Sequence, residues 1–550
     1  MQTCTLKERD EARIQNEERS LQHLNETYKS LCVERVILMR YNAYTHLLGV
    51  IMSRRVSPLY TSSTELRSIG LAFLSLSLLI GGCESKDTSA IGEALPHILP
   101  PEGAQVVEAE RQRQGDPAVG YDHFINSPFV GCGIPLSVLD QVGDVNRFLP
   151  LVGLPSEEAY LEGRTGGNQD LPYFFTYNRT RSGVEVAAIN CMSCHASVFE
   201  DQLVVGLGNT TLNTTRDVSI FANGLSRFVS DPLEREAWSY WAERISSVGP
   251  ATVLDTQGVV AADNMALVLF GLRDPVTLAW RGEYQIDVPE EVPTVPLAVP
   301  PLWRMGKKNS MFYSGAFRGD HTRYMFAASS LCLEDIDEFS EIDGYFHHVR
   351  AWIASLQPPS WPYEVNQAQA RRGSVIFERT CSGCHGTYSA AEPSSESYPN
   401  LVIPIEEVGT DPLLLAFEEI FVESLTPWFS RTFLRDTNYL VSTGGYMAPP
   451  LDGIWMTAPY LHNDSVPSLA TLLDSTSRPR FWRRASLDSN DYDDVEVGWR
   501  YLVEDRGREE GAGPEVYDTT RMGYLNEGHV YGDHLSPDQR RDLIEYLKTL

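Results

Sequence analysis

Two short stretches of the chain carry the residue types with the most definite chemistry. They read Cys191-Met192-Ser193-Cys194-His195 and Cys381-Ser382-Gly383-Cys384-His385, so each has the pattern Cys-x-x-Cys-His that attaches a c-type haem. The two thiols add to the two vinyl groups of the haem, because a two-residue spacer places both sulfurs along one edge of the ring. The histidine that follows supplies the proximal nitrogen ligand of the iron. We therefore predict two covalent haem c groups, haem 1 at the first motif and haem 2 at the second. The predicted haem-binding residues are Cys191, Cys194, His195, Cys381, Cys384 and His385.

A zinc knuckle, or a redox dithiol followed by an incidental histidine, is the alternative interpretation of a single motif of this kind. Two copies argue against it, because the chain has only 9 cysteines and 12 histidines among its 550 residues. A predicted export signal also favours haem, because c-type haem is attached outside the bacterial cytoplasm.

The N-terminal region predicts this export. Residues 8–29 are polar, and we interpret residues 1–51 as a doubtful N-terminal extension upstream of a true start at Met52. Met52-Ser53-Arg54-Arg55 forms a basic start, and residues 69–80 form an apolar run. This run is short for a membrane span and has the length of a signal-peptide core. If the extension is translated, the run becomes an internal anchor and export is still expected.

The apolar run leads into Leu79-Ile80-Gly81-Gly82-Cys83, which resembles a bacterial lipobox. The resemblance implies that residues 52–82 are a lipoprotein signal peptide and that Cys83 carries a lipid after cleavage. An ordinary signal peptide with an accidental cysteine is the alternative. Residues 83–101 predict a flexible tether. The expected location is the periplasmic side of a bacterial membrane or the cell surface, with Cys83 as the lipid anchor.

Two cysteines of the exported part remain, Cys132 and Cys332. In an oxidising compartment they either form a disulfide or stay as two buried free thiols. The sequence leaves both alternatives open.

The rest of the chain divides at the proline-rich segment Gln357-Pro358-Pro359-Ser360-Trp361-Pro362, which we interpret as a linker. We predict an N-terminal haem c domain at residues 102–362 and a C-terminal cytochrome c domain at residues 363–550. A short β-prone run at residues 184–189 leads into the first motif. The predicted fold is mainly α: two cytochrome c-like haem domains with long loops and little β-structure. Apolar periodicity predicts helices at residues 231–246, 261–272 and 335–356.

Two helices of the C-terminal domain are predicted to pack against each other. Gly373, Phe377 and Cys381 are spaced by four, as on one face of a helix that runs into the second motif. Glycine has no side chain, so Gly373 permits another helix to cross closely. The C-terminal helix is the expected partner, because Ser536-Pro537-Asp538-Gln539 supplies its cap. Residues 478–519 are charged and predict a surface insertion.

Several strings outside the two motifs also carry a family resemblance, and together they span roughly residue 115 to the C-terminus. They are residues 190–196, residues 205–209, Lys307-Lys308-Asn309, Val408-Gly409-Thr410-Asp411-Pro412, Pro450-Leu451-Asp452-Gly453-Ile454-Trp455, Ala458-Pro459-Tyr460-Leu461-His462-Asn463, Gly528-His529-Val530-Tyr531-Gly532 and residues 543–550. The chain resembles the di-haem cytochrome c peroxidase superfamily, most closely its RoxA-like di-haem rubber oxygenase branch. The resemblance implies a haem-based oxidoreductase. A calcium ion between the domains is common in the superfamily, although no ligand cluster in this sequence specifies one.

Three departures from the family pattern leave the substrate open. Ser197 and Asp464 stand where such proteins usually carry glycine, and Met447-Ala448 replaces a more basic turn. They affect the expected substrate more than the expected fold.

The sixth coordination position of each iron decides the function, because a haem with two protein ligands passes electrons and one with an open position can bind peroxide or dioxygen. No histidine occurs between His195 and His321, which predicts an open haem 1. For haem 2 the resemblance implies His529 as the axial ligand, with His462 or Met447 as alternatives.

Other residues of the N-terminal domain bear on haem 1. Trp303 and Phe317 lie in the segment that resembles the pocket of the rubber oxygenase. They either line the distal side of haem 1 as catalytic residues or pack in the core. The methionines that could ligate haem 1 are Met265, Met305 and Met311, although core packing is the commoner role of methionine.

The preferred hypothesis is an exported, lipid-anchored di-haem oxidoreductase that activates peroxide or dioxygen at haem 1 and uses haem 2 as an electron relay. The alternative is a non-enzymatic di-haem electron-transfer cytochrome. The expected partner is a small redox protein or a small-molecule oxidant. The formal net charge of −29 argues against nucleic acid and is compatible with a basic redox protein.

Overall fold

The structure is a computed structural model, and it describes residues 95–142, 160–389 and 395–550. These residues belong to a compact unit that runs from Cys83 to Leu550. The predicted extension, signal peptide and lipidated Cys83 lie outside the described residues and stay predictions. Within the three described ranges, no helix is both long enough and apolar enough to cross a membrane.

The α-helices are distributed along the whole described chain. In order they are α1 (Pro117–Asn126), α2 (Leu136–Val142), α3 (Met192–His195), α4 (Val218–Leu225), α5 (Pro232–Val248), α6 (Ala262–Gly271), α7 (His321–Met325), α8 (Ile336–Ser355), α9 (Gln367–Thr380), α10 (Ser382–His385), α11 (Ile405–Val408), α12 (Leu413–Phe429), α13 (Leu469–Leu472) and α14 (Pro537–Leu547). A 3₁₀-helix spans Leu302–Lys307. The three helices predicted from apolar periodicity are confirmed as α5, α6 and α8.

The strands are short and pair in an antiparallel manner. They are β1 (Gln105–Val106), β2 (Ile134–Pro135), β3 (Phe175–Arg179), β4 (Glu185–Ile189), β5 (Ala196–Phe199), β6 (Gln202–Val205), β7 (Phe317–Gly319), β8 (Leu401–Pro404), β9 (Asn438–Leu440), β10 (Gly445–Met447), β11 (Phe481–Arg484), β12 (Tyr492–Asp493), β13 (Gly498–Trp499), β14 (Tyr501–Val503) and β15 (Tyr517–Asp518). Their orders in the sheets are β1-β8-β10, β2-β4-β3, β5-β6, β7-β9, β12-β13 and β14-β11-β15.

The predicted mainly α fold with little β-structure needs correction. Of the described residues, 38% are helical and 13% lie in strands, so the fold is mixed α/β. Apart from the run at residues 184–189, the strands were missed because they have two to five residues, too few to show a clear alternation of apolar and polar positions. Residues 478–519 were likewise predicted to be a surface insertion, yet they contain β11 to β15 and bury Trp482 and Trp499.

The first motif follows directly from a sheet. The β-prone run before it is confirmed as β4, which pairs with β3. Asn190 ends this strand, and its amide donates to the Tyr173 carbonyl and to the Thr176 hydroxyl. The side-chain oxygen of Asn190 accepts from the Met192 N–H at 2.9 Å. These bonds fix the point where the chain turns from strand into α3, which carries Cys194 and His195.

The second motif is positioned by the crossing of α9 and α14. As the sequence predicts, α9 runs into the motif and α14 begins with a capping box formed by Ser536 and Gln539. A Cβ atom at Gly373 would lie 1.9 Å from the Asp542 carbonyl oxygen. The close approach of the two helices therefore depends on glycine at this position.

We expect Gly373→Ala to lower the free energy of unfolding by about 1–3 kcal/mol, because its methyl group would overlap the backbone of α14. Gly344→Ala in α8 is the matched control. Nothing lies within 4 Å of the Cβ position at Gly344, and alanine favours a helix over glycine by about 0.8–1.0 kcal/mol. Denaturant unfolding followed by circular dichroism measures both variants. Wild-type stability of Gly373→Ala would contradict the close crossing.

Residues 95–101 pack against the second motif, although the sequence predicts a flexible tether up to residue 101. Leu95 is buried in a core cluster. The Ile98 N–H donates to the Arg379 carbonyl at 2.8 Å, and the Arg379 guanidinium donates to the Leu95 carbonyl. The end of the predicted tether therefore belongs to the folded unit.

One core cluster joins residues from both predicted domains, because Trp303 packs in it together with Phe377 and Trp455. The division at residue 362 stays a prediction.

In the N-terminal part, Cys132 and Cys332 form a disulfide across 200 residues of sequence, with a Cα–Cα distance of 5.5 Å. Of the two alternatives left open by the sequence, the structure therefore contains the disulfide and not two free thiols.

Candidate functional site

A connected cavity of about 1060 Å³ runs between the two motifs. We call it the central cavity. Its wall is mostly apolar and is built from segments of both halves of the chain. The motif residues on the wall are Cys191, Cys194, His195, Cys381, Cys384 and His385. The structure therefore brings all six predicted haem-binding residues to the wall of one cavity.

The four motif cysteines form no disulfide. Burial raises the pKa of the Cys191 thiol to about 12 and that of the Cys381 thiol to about 11. Redox dithiols instead have lowered pKa values, because the thiolate is the reactive form. The environment of these thiols therefore favours haem attachment over the redox-dithiol alternative.

Both motif histidines are oriented by the same kind of hydrogen bond. His195 Nδ1 lies 3.2 Å from the Pro300 carbonyl oxygen, and His385 Nδ1 lies 2.8 Å from the Pro449 carbonyl oxygen. A carbonyl oxygen only accepts, so Nδ1 carries the proton and Nε2 is left free to bind a metal. Burial lowers the pKa of both rings, that of His195 to about 4, which keeps them in the neutral form that ligates iron.

Sequence analysis missed these two proline carbonyls although a signal was present. Pro300-Pro301-Leu302 and Pro449-Pro450-Leu451 repeat the same three residues, one copy after each motif. Three residues are too few to stand out among 33 prolines. Only the fold shows that both copies lie against a motif histidine.

His529 lies across the central cavity from His385. The two ring centroids are 6.1 Å apart, and the ring planes are inclined by 57°. Two imidazoles bound to one iron have ring centres about 6.2 Å apart, since each metal–nitrogen bond is about 2.0 Å and each nitrogen is about 1.1 Å from its ring centre. Burial, with a smaller contribution from His385, lowers the pKa of His529 to about 3. The pair therefore fits an iron held between two neutral histidines.

A tight loop holds His529 in this place. Its backbone N–H donates to the Val408 carbonyl at 2.8 Å, and its own carbonyl accepts from the Arg478 guanidinium. Gly528 has a φ of +72°, and a Cβ atom there would lie 2.3 Å from the Val408 carbonyl oxygen. His529 itself has a φ of +47°, which is uncommon for a residue with a side chain. Strained positions of this kind are typical of functional sites.

The two alternative ligands of haem 2 also reach the central cavity, but both have other contacts. The Tyr446 hydroxyl donates to the Asp411 carbonyl, so its oxygen is left to accept from His462 Nε2 at 3.3 Å. Met447 is 5% exposed and packs in a small apolar cluster with Val402. These contacts favour structural roles for His462 and Met447.

Trp303 and Phe317 pack behind the wall of the central cavity. The Trp303 indole N–H donates to the Asp452 carbonyl at 2.9 Å. Phe317 is buried against Phe312 and Tyr324, with ring centroids 4.2 and 4.6 Å away, and it is these two partners that line the cavity. The structure therefore favours core packing over a distal-side role for both residues.

Sequence analysis did not single out the polar residues that line the cavity between the motifs. Burial, and then Glu418, raises the pKa of Asp263 to about 7, while burial, and then Arg304, lowers the pKa of Lys308 to about 8. Tyr313 also reaches the wall. Asp263 lies far from Lys308 and Tyr313 in sequence, so no local pattern joins the three. In the described ranges, no three His, Cys, Asp or Glu side chains group to hold a metal ion, and the calcium ion stays a prediction.

Comparison with known families gives one match, in which residues 445–483 fit a family described as RoxA-like, cytochrome c-like. The match supports the RoxA-like part of the resemblance and implies covalently bound haem c.

The chain is also similar to two proteins of Sinorhizobium fredii (strain NBRC 101917 / NGR234). It is 28% identical to the uncharacterized protein y4iJ over 261 residues and 27% identical to the uncharacterized protein y4iM over 295 residues. These alignments cover 36% and 46% of this chain, and 42% and 64% of the two relatives. The chain thus spans less than two thirds of either relative.

Proposed function

We propose that the chain is an exported di-haem c-type cytochrome that activates peroxide or dioxygen at haem 1 and relays electrons through haem 2. One asymmetry between the motifs carries the proposal. His385 faces a second histidine, His529, with 6.1 Å between their ring centroids. Among the described residues, no ring contact joins another histidine to His195. His385 and His529 would therefore hold a haem at the second motif from both sides, whereas a haem at the first motif would be held by His195 and keep an open position.

An open haem supplies a coordination position where peroxide or dioxygen can bind. Residues of the chain prepare its surroundings. The apolar wall of the central cavity limits access of water, and Pro300 orients the neutral ring of His195. Asp263 Oδ1 is buried on the wall without a hydrogen-bond partner. With a pKa raised to about 7, this carboxyl can hold or release a proton near neutral pH.

A non-enzymatic electron-transfer cytochrome is the second candidate, and one observation favours it. Met265, Met305 and Met311 all reach the central cavity. A methionine sulfur can fill the sixth position of a c-type haem, which would close haem 1. Met305 and Met311 also pack against the main apolar core, and this packing accounts for both without ligation.

The disulfide between Cys132 and Cys332 supports the export part of the proposal, because disulfides persist in oxidising compartments. We place the protein on the periplasmic side of a bacterial membrane or on the cell surface, anchored by a lipid on Cys83. The proposed partner is a small redox protein or a small-molecule oxidant. The net charge of −29 supports a basic redox protein.

Low-temperature EPR of the ferric protein, produced with a haem-attachment system, tests the proposal. We expect one high-spin signal from haem 1 and one low-spin signal from haem 2, and we expect cyanide to change only the first. Cys191→Ala/Cys194→Ala should lose one of two haems together with the high-spin signal. The matched variant Cys381→Ala/Cys384→Ala should lose the other haem and the low-spin signal.

Two low-spin signals that cyanide does not change would overturn the enzymatic proposal and leave the electron-transfer cytochrome. One haem per wild-type chain would overturn the di-haem assignment itself.

A further inference from the structure

Two cations on the wall of the central cavity have only neutral hydrogen-bond partners. The Arg304 guanidinium donates to the Asp452 backbone carbonyl at 3.1 Å and to the Thr457 hydroxyl at 3.2 Å. The Lys308 ammonium donates to the Phe312 carbonyl at 3.2 Å. Among the described residues, neither cation forms an ion pair with a carboxylate. The charge of the Asp452 carboxylate acts on Arg304, but this carboxylate is already bonded to Lys307. Because a cation removed from water without an ion-pair partner is unfavourable, the arrangement suits an anion in the cavity.

The neighbouring Lys307, unlike Arg304 and Lys308, forms ion pairs with two carboxylates. Its ammonium lies 2.7 Å from a Glu396 oxygen and 2.6 Å from an Asp452 oxygen, and it is not part of the cavity wall. The three carboxyls that do reach the wall, Asp217, Asp263 and Asp464, bond to neither Arg304 nor Lys308 in the described part of the chain. Arg304 and Lys308 are therefore two charges of the wall that no ion pair within the described residues compensates, whereas Arg216, the third cation of the wall, is exposed to solvent.

The two cations lie together on the side of the second motif. Burial lowers the pKa of Lys308 to about 8, and the charge of Arg304 contributes to this shift. Arg304 donates to the Asp452 carbonyl, three residues after Pro449, whose carbonyl accepts from His385 Nδ1. The guanidinium therefore lies on the side of the cavity that holds the ring predicted to bind the iron of haem 2.

We propose that Arg304 and Lys308 bind the two propionate carboxylates of haem 2. A haem carries two propionates, so its two negative charges match the two unpaired cations. The guanidinium is a rigid fork suited to a carboxylate, and the ammonium adds a compact charge with three donors. The inference rests on the proposed function, because it needs a haem attached to Cys381 and Cys384.

The reduction potential of haem 2, measured by spectroelectrochemical titration of the holoprotein, tests the inference. In Lys308→Met and in Arg304→Gln a propionate charge is left uncompensated, and this charge favours ferric iron. We expect the ratio of ferrous to ferric haem 2 at a fixed potential to fall about tenfold, which corresponds to about 59 mV for a one-electron couple. Lys308→Arg keeps the charge and is expected to keep the wild-type potential.

Lys548→Met is the matched control. Lys548 is also buried, but its ammonium is paired with Glu545 at 2.6 Å, and it does not line the central cavity. We expect no change in potential for this variant. A retained low-spin EPR signal in each variant shows that His385 and His529 have not moved.

Unchanged potentials in both Lys308→Met and Arg304→Gln, with haem 2 attached, would overturn the inference and leave the proposed function intact. A wild-type protein without haem at the second motif would overturn both. If Arg304→Gln does not fold, Lys308→Met and its rescue by Lys308→Arg decide the question.

Discussion

His529→Ala is expected to convert haem 2 completely from low spin to high spin. The ring of His529 faces His385 with 6.1 Å between centroids, which matches two histidines on one iron. Alanine removes the nitrogen and opens the sixth position. The low-spin EPR signal should therefore disappear, and cyanide should then bind both haems instead of one. Low-temperature EPR and a cyanide titration followed in the visible spectrum measure the change.

Two other histidine variants serve as controls for the loss of the low-spin signal. His534→Ala removes an exposed histidine five positions further along the chain and is expected to leave both signals unchanged. His462→Ala removes a buried histidine on the cavity wall that Tyr446 already engages, and it should also keep the low-spin signal. If the low-spin signal survives in His529→Ala but is lost in His462→Ala, the assignment of the ligand moves to His462.

Removing the disulfide is expected to have the largest effect on stability. Cys132 and Cys332 are separated by 200 residues, so their bond closes a very long loop in the unfolded chain. In the chain-entropy model, opening such a loop costs about 5 kcal/mol of unfolding free energy. We therefore expect Cys132→Ala/Cys332→Ala to show a markedly lower midpoint of guanidinium unfolding than the wild type, measured by circular dichroism.

A thiol reductant provides the control for this loss. It should lower the unfolding midpoint of the wild type to near that of Cys132→Ala/Cys332→Ala and should not lower the midpoint of the variant further. The variant should keep both haems, since neither cysteine belongs to a motif. Equal midpoints of the oxidised wild type and the variant would show that the bond contributes nothing to stability.

Local spacing predicted several parts of the fold well. The apolar periodicity of residues 335–356 corresponds to α8, and Ser536-Pro537-Asp538-Gln539 does cap α14. Most strands and the mixed α/β character were not predicted, because strands such as β12 have only two residues. Their pairing depends on segments distant in sequence, as when β1 joins β8. The burial of Trp482 and Trp499 was not predicted either, because the charged residues around them suggested a solvated surface.

The sequence by itself determined the predicted haem attachment, because two cysteines and a histidine within five positions are held together by the chain itself whatever the fold. It could not determine what else reaches each iron. His529 meets His385 only because α9 crosses α14 at Gly373 and because Gly528 lets its loop close against Val408. The proline carbonyls that orient the motif histidines, and the unpaired charges of Arg304 and Lys308, likewise arise from segments distant in sequence. Tertiary packing decided these features, because only the folded chain fixes distances between residues that the backbone leaves free to separate.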